Sequence, residues 1–147
     1  MLKKSLKVLV IFLTLLNVSN LHARDRILWI ESYRSGNPWT DALEEAINST
    51  LSGHDVDIEV FHMDTKRNKS EASIQKAAQN AVQAIHAYKP QVVIASDDDA
   101  SKHVVMPFFK NSPLPFVFCG VNHSGDRYGY PYRNATGIIE IDPVTKL

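Results

Sequence analysis

Four consecutive apolar residues, Ile27, Leu28, Trp29 and Ile30, stand between Arg26 and Glu31 without alternation. A strand covered on both faces reads this way, so residues 26–32 are predicted as a buried strand. After a turn-rich stretch with Ser35 and Gly36, Asn37 offers an N-cap and Pro38 the first helical position. Trp39, Leu43, Ile47 and Leu51 then recur every four residues on one helix face, and Gly53 ends the helix. Residues 55–62 alternate, with Val56, Ile58 and Val60 on one side, which predicts a half-exposed strand near a sheet edge.

Beyond the loop Met63-Asp64-Thr65-Lys66-Arg67, Ser70 can cap a long helix. Its stripe runs through Ile74, Ala77, Ala78, Ala81, Val82, Ile85 and Tyr88 and ends at Lys89-Pro90. Residues 92–95 are the third strand. Asp97, Asp98 and Asp99 open a third helix that buries Ala100, Val104 and Val105 and breaks near Pro107, since proline lacks the helical N–H. Residues 116–119 form a fourth strand and residues 136–141 a fifth, across a loop rich in Gly, Tyr and Asn. Strands alternating with helices through short connections specify an α/β fold, a doubly wound, mostly parallel five-stranded sheet with both faces covered.

Ligands of such sheets bind at the carboxyl ends of the strands. Two polar runs fall there: Ser96-Asp97-Asp98-Asp99-Ala100 after the third strand and Gly120-Val121-Asn122 after the fourth. Neither holds a recognisable catalytic set.

The amino terminus changes the picture of where this sheet works. Lys3, Lys4 and Lys7 precede an apolar run from Val8 to Val18, and Leu21-His22-Ala23 supplies a small residue at a cleavage point. That is the layout of a secretory signal peptide, and the run is short for a bilayer span. An uncleaved anchor is the alternative. Residues 1–23 are therefore assigned as signal peptide and 24–147 as one domain in a periplasmic or other extracytoplasmic compartment. Basic and acidic residues number 16 each, and losing three lysines leaves a net charge of −3. No basic stripe offers a footprint for nucleic acid. The single cysteine, Cys119, forms no internal disulfide or cysteine-based zinc cluster and reads as a small buried hydrophobe. Triplets such as Asn48-Ser49-Thr50 and Asn134-Ala135-Thr136 matter only in a host that glycosylates.

The aspartate run admits several chemistries. Carboxylates at a helix start can cap N–H groups and complement the helix dipole. A metal is disfavoured because adjacent side chains diverge. A receiver-type phosphorylation site lacks its partners, since the first strand ends in Glu31-Ser32 without an acid pair and Ile139-Glu140-Ile141 has no lysine at the matching end. The economical reading is that Asp97 or Asp98 accepts hydrogen bonds from, or pairs with, a polar or ammonium-bearing ligand. Tyr33 suits stacking or cation contact, whereas Trp39 reads first as packing of its own helix. Asn122 suits either ligand orientation or turn formation. Asp64, Lys66 and Arg67 read as loop ordering and ion pairing. Ser32 and Ser96 lie outside any nucleophile-elbow pattern, and the scattered histidines pair with none of them.

Taken in order, Ser32-Tyr33, Pro38-Trp39-Thr40-Asp41, Met63-Asp64-Thr65-Lys66-Arg67, Lys89-Pro90, Ser96-Asp97-Asp98 with Ala100, Pro115 through Asn122, and Asn134 with Thr136-Gly137 resemble the ABC-transporter substrate-binding family. That family has the type I periplasmic-binding-protein fold, with flavodoxin-like lobes. The resemblance covers nearly all of residues 24–147. It implies a non-enzymatic solute receptor without cofactor or metal, whose two lobes close on a small polar ligand, an amino acid being one class, and deliver it to an ABC permease. The membrane is then reached only through that permease or an uncleaved anchor. The resemblance places Ser32, Tyr33, Ser96, Asp97, Asp98, Gly120 and Asn122 at the ligand, with Trp39 as an addition. The chain stops at Leu147, where the family's chain crosses to its second lobe. A truncated product is the expectation, ahead of a lobe that works alone or as a dimer. An extracytoplasmic sensing module of a membrane signalling protein is the alternative role.

Overall fold

The structure, a computed structural model, describes residues 24–122 and 124–139. The signal segment 1–23 and the last two residues of the expected fifth strand, Glu140 and Ile141, lie outside the described residues.

Five parallel strands form one sheet in the order β2-β1-β3-β4-β5. They are β1 (Asp25–Glu31), β2 (Val56–His62), β3 (Val92–Ser96), β4 (Phe116–Val121) and β5 (Ala135–Ile139). This is the flavodoxin-like doubly wound order. The alternating segment β2 is the sheet edge, as its half-polar pattern requires, and the unbroken apolar segment β1 is paired on both sides.

Helix α1 (Pro38–Leu51) starts as its sequence dictates, with the Asn37 side chain accepting the Trp39 N–H at 3.1 Å. Helix α2 (Glu71–Tyr88) is capped by Ser70, whose hydroxyl accepts the Ser73 N–H at 3.1 Å. It ends at Lys89, which turns left-handed and donates its N–H to the Ile85 carbonyl.

The third helix departs from expectation. A short α-helical turn, α3 (Asp97–Ala100), runs directly into a wide π-helical stretch, Ser101–Phe109, that carries Pro107 inside it. The wider turn takes in a residue with no N–H to donate, so the helix passes Pro107 and ends only at Lys110.

The core lies on one side of the sheet. Leu28, Ile30, Val93, Ala95, Phe116 and Phe118 form a single buried cluster with Ala78, Ala81 and Ile85 of α2 and with Val104, Val105 and Phe109. Parallel register places Trp29, Val60, Ile94, Val117 and Thr136 in one row on the other side. Among the described residues α1 is the helix on that side, and coverage is uneven: Trp29 is buried, but Val117 is 40% and Ile138 73% exposed. Both faces were expected to be covered, and the β4–β5 half of this one is open among the described residues. No helix of the described residues is long and apolar enough to cross a membrane.

Gly137 marks where β5 approaches β4. A Cβ built there would lie 1.9 Å from the backbone oxygen of Phe118. A backbone atom cannot swing aside as a side chain does, so even alanine must push β5 off the sheet. Gly137→Ala is expected to lower stability by about 1–3 kcal/mol, read as a fall in the urea midpoint with loss of hydrogen-exchange protection confined to β4 and β5.

Candidate functional site

The chain leaves β1 toward β2 on one side and then crosses back to β3 on the other. Crossovers diverge at the β1–β3 boundary, which is where an open sheet of this order leaves a crevice. The residues ending those strands are Glu31 and Ser96, partners in the parallel register, and Asp97 follows at once.

Glu31 is fully buried. Its Oε1 accepts the Thr40 hydroxyl and the Tyr33 N–H, both at 3.2 Å, and its Oε2 accepts the Ser96 hydroxyl. Ser96 Oγ in turn accepts the Trp29 indole N–H at 2.6 Å. Ser32 completes this floor, donating its hydroxyl to the Ser96 carbonyl at 2.7 Å and accepting the Ala100 N–H at 2.9 Å. The helix start is thus capped by Ser32 from β1's end. The Ser96 side chain makes no cap bond to α3 and is turned to Glu31.

Asp97 stands on this floor. It is 2% exposed, its φ is +69°, and its Oδ2 has no hydrogen-bond partner. Aspartate is among the few residues that take a left-handed backbone at modest cost. Its carboxyl is within hydrogen-bonding reach of Glu31 and of the Trp39 indole, with Lys66 as the nearest influential cation. Burial, and then the charge and hydrogen bond of Glu31, push the Asp97 carboxyl up to about 8, with Trp39 and Lys66 pulling the other way.

Gly120, near the end of β4, lets the Asp97 carboxyl and the Trp39 indole pack close against its backbone. A Cβ there would sit 3.1 Å from Asp97 Oδ1 and 3.1 Å from the Trp39 ring, and φ is +65°. Any other residue would be strained at this φ and would crowd both groups.

Tyr33 and Lys66 form the outer wall. The Lys66 ammonium is 3.7 Å from the centroid of the Tyr33 ring, a cation–π contact. Burial raises the Tyr33 phenol's proton affinity, and the charges of Asp97, Asp99, Asp98 and Glu31 raise it further. Four carboxyl groups therefore act on this wall against one ammonium. Among the described residues, no set of three or more His, Cys, Asp and Glu side chains is arranged to hold a metal ion.

The structure gathers Tyr33, Trp39, Asp97 and Gly120 at one place. Ser32 and Ser96 are buried beneath them, with both hydroxyls engaged inside the protein. Asp98 and Asn122 are bound to each other: Asn122 donates its amide to Asp98 Oδ2 at 3.0 Å and its backbone N–H to Oδ1 at 3.3 Å. The Tyr128 hydroxyl reaches the same Oδ1 at 2.8 Å. These two residues tie the β4 loop to α3 at the rim.

Trp39 read as packing in the sequence, yet it is 38% exposed with its indole against Asp97 and Gly120. In the charged loop, Arg67 does pair with Asp64 at 2.6 Å, and Lys66 turns to Tyr33. Sequence reasoning passed over Glu31 and Thr40. One signal was available: a glutamate closing an otherwise apolar central strand must bury its carboxyl beside donors. Cys119 is partly buried, and burial, Asp97 and Glu31 push its thiol up to about 11.

Comparison with family models, curated proteins and solved structures finds no match to this chain.

The raised Asp97 pKa has a defined consequence for stability. A group that holds its proton more tightly when folded contributes most below its unfolded pKa, near 4, and loses that contribution as pH rises through its folded value, about 8. Urea unfolding between pH 4 and 9 is expected to show stability falling across this range. Asp97→Asn keeps the shape and the left-handed backbone but removes the titration, and its profile should be flatter than that of the native chain.

Proposed function

We propose that this chain is the first lobe of an extracytoplasmic solute-binding protein of the ABC-transporter substrate-binding kind. It holds a small ligand with a positively charged group at the carboxyl ends of β1 and β3. The observation that carries the reading is Asp97: a buried carboxyl with an unpartnered oxygen, set at the sheet's switch point against Gly120 and the Trp39 indole.

Several features support it. Tyr33 and Trp39 give the crevice two aromatic surfaces, and the surrounding carboxyls make it attractive to an ammonium or guanidinium group. The groups a nucleophilic mechanism would need are otherwise engaged: both serine hydroxyls are spent in buried hydrogen bonds, and the Cys119 thiol is held protonated. In this reading a second wall closes over the exposed side of Tyr33 and Trp39, and the closed form docks on a permease. Binding by one wall is weak, because the contacts must offset at least about 4 kcal/mol of lost ligand freedom.

Titration calorimetry with tyramine, L-tyrosine, L-arginine and putrescine, each beside an analogue in which every cationic group is replaced by a neutral one, tests the reading. The cations are expected to bind and their neutral analogues not to. Asp97→Ala should weaken binding by about 1–3 kcal/mol, the cost of leaving a ligand donor unpaired in a buried site. Equal binding of both series would overturn the charge assignment.

Export makes a separate prediction. Protein recovered from its native host should begin at Arg24, with residues 1–23 removed. Mass spectrometry of the intact protein reads this directly, and a form that retains Met1 in the cytoplasm would refute it.

A further inference from the structure

The Glu31–Asp97 pair does more than mark a negative site, because its two members are unequally provided for. Glu31 receives three hydrogen bonds from Thr40, Tyr33 and Ser96, enough to hold it as an acceptor. Asp97 is just as deeply buried and has one oxygen with no partner. A carboxylate in that position would be a second negative charge beside Glu31 with no donor for one of its oxygens, a cost that Trp39 and Lys66 offset only in part. A proton on Asp97 removes the conflict, and a cation placed at the same point would remove it equally well.

We propose that the site exchanges a proton for its ligand's cation: the empty pair carries one proton, and an ammonium group settling against Asp97 displaces it to solvent. This rests on the solute-binding reading above and adds the protonic coupling to it. Written out, the empty pair is one carboxylate and one carboxylic acid, with charge −1. Binding R–NH3+ breaks the Asp97 O–H bond and releases H+ to water. The two carboxylates, charge −2, then face a ligand of charge +1, so charge and atoms balance. Nothing is oxidised or reduced.

The groups around the Glu31–Asp97 pair come from every neighbouring element. From β1 comes Glu31, and from the loop after it Tyr33. Trp39 and Thr40 come from α1, and Lys66 from the β2–α2 loop. His62 is paired with Glu31 in the β2 register and lies 3.3 Å from the Tyr33 carbonyl through Nδ1. Cys119 comes from β4, and Asp98 and Asp99 are its neighbours on α3. Lys66 is the one fixed cation of this set, and it already lies on the Tyr33 ring. It tempers the repulsion between the carboxyls and leaves the pair's conflict in place, as the upward displacement of Asp97 toward pH 8 indicates.

Two measurements on the full 147-residue chain test this. Carbon NMR of labelled carboxyl groups follows the empty protein from pH 4 to 10. One of the two buried carboxyls is expected to remain protonated at pH 6.5 and to titrate near pH 8. Finding both ionised at pH 6.5 overturns the proposal whatever the ligand. Calorimetry with tyramine at pH 6.5, repeated in phosphate and in Tris, then counts protons through the difference in buffer ionisation heat. Release of close to one proton per tyramine is expected, with affinity rising up to tenfold per pH unit toward pH 8 and levelling above it. Asp97→Asn should release none and lose the pH dependence. Glu31→Gln is the less informative variant because the floor of the site hangs on Glu31. Tyramine binding with no proton release overturns the exchange and leaves the solute-binding reading standing. If none of tyramine, L-tyrosine, L-arginine and putrescine binds at 10 mM at any pH, that reading fails and the exchange falls with it.

Discussion

The carboxyl of Glu31 is the constraint on which the working end of this protein depends. It is a polar group at the end of a central strand, fully buried, and the strand cannot shift to return it to water without breaking its pairing on both sides. The surrounding structure meets that demand. Thr40 fixes the first turn of α1, Ser96 fixes the end of β3, and the Tyr33 N–H fixes the loop between β1 and α1. A buried carboxyl held by donors from three elements fixes how those elements meet, because leaving one of its oxygens short of a donor costs about 1–3 kcal/mol.

Asp97 follows from the same arrangement. With Ser96 turned to Glu31 and Ser32 taking up the Ala100 N–H, the chain must leave β3 and begin a helix within one residue. It does so through a left-handed backbone at Asp97 that brings a second carboxyl onto the first. The geometry that caps the helix is therefore also what sets two acids side by side. Functional sites commonly hold such unfavourable pairs because the fold elsewhere is stable enough to impose them. Here the imposing part is the close-packed layer of α2 and the π-helical stretch on the far side of the sheet.

The two sheet faces divide the labour. One carries the continuous core, from Leu28 through Val93 to Phe116. The other carries α1, the carboxyl pair and its aromatic neighbours at the strand ends, and then open apolar surface over β4 and β5. The covered face supplies the stability, and the other face carries the crevice at the strand ends.

How much of this was legible in the chain depends on how local each feature is. The unbroken apolar run of β1, the alternation of β2, the Asn37-Pro38 start of α1 and the Ser70 cap of α2 are settled within a few residues, by periodicity and by side chains that bond to their own backbone. From these the parallel sheet and the strand ends that carry the site follow. Tyr33, Asp97 and Gly120 could be singled out because strand ends are where such sheets bind. The passage of the helix through Pro107 was not legible, since the width of a helical turn depends on packing over Val104, Val105 and Phe109. Nor could the roles of Ser32, Ser96, Asp98 and Asn122 be read, because all four bond across elements 24 to 68 residues apart. Above all, Glu31 looked like the polar end of a strand. Only the tertiary structure decided that its carboxyl lies buried against an acid 66 positions away, because the parallel register of β1 with β3, and no property of either segment alone, sets them together.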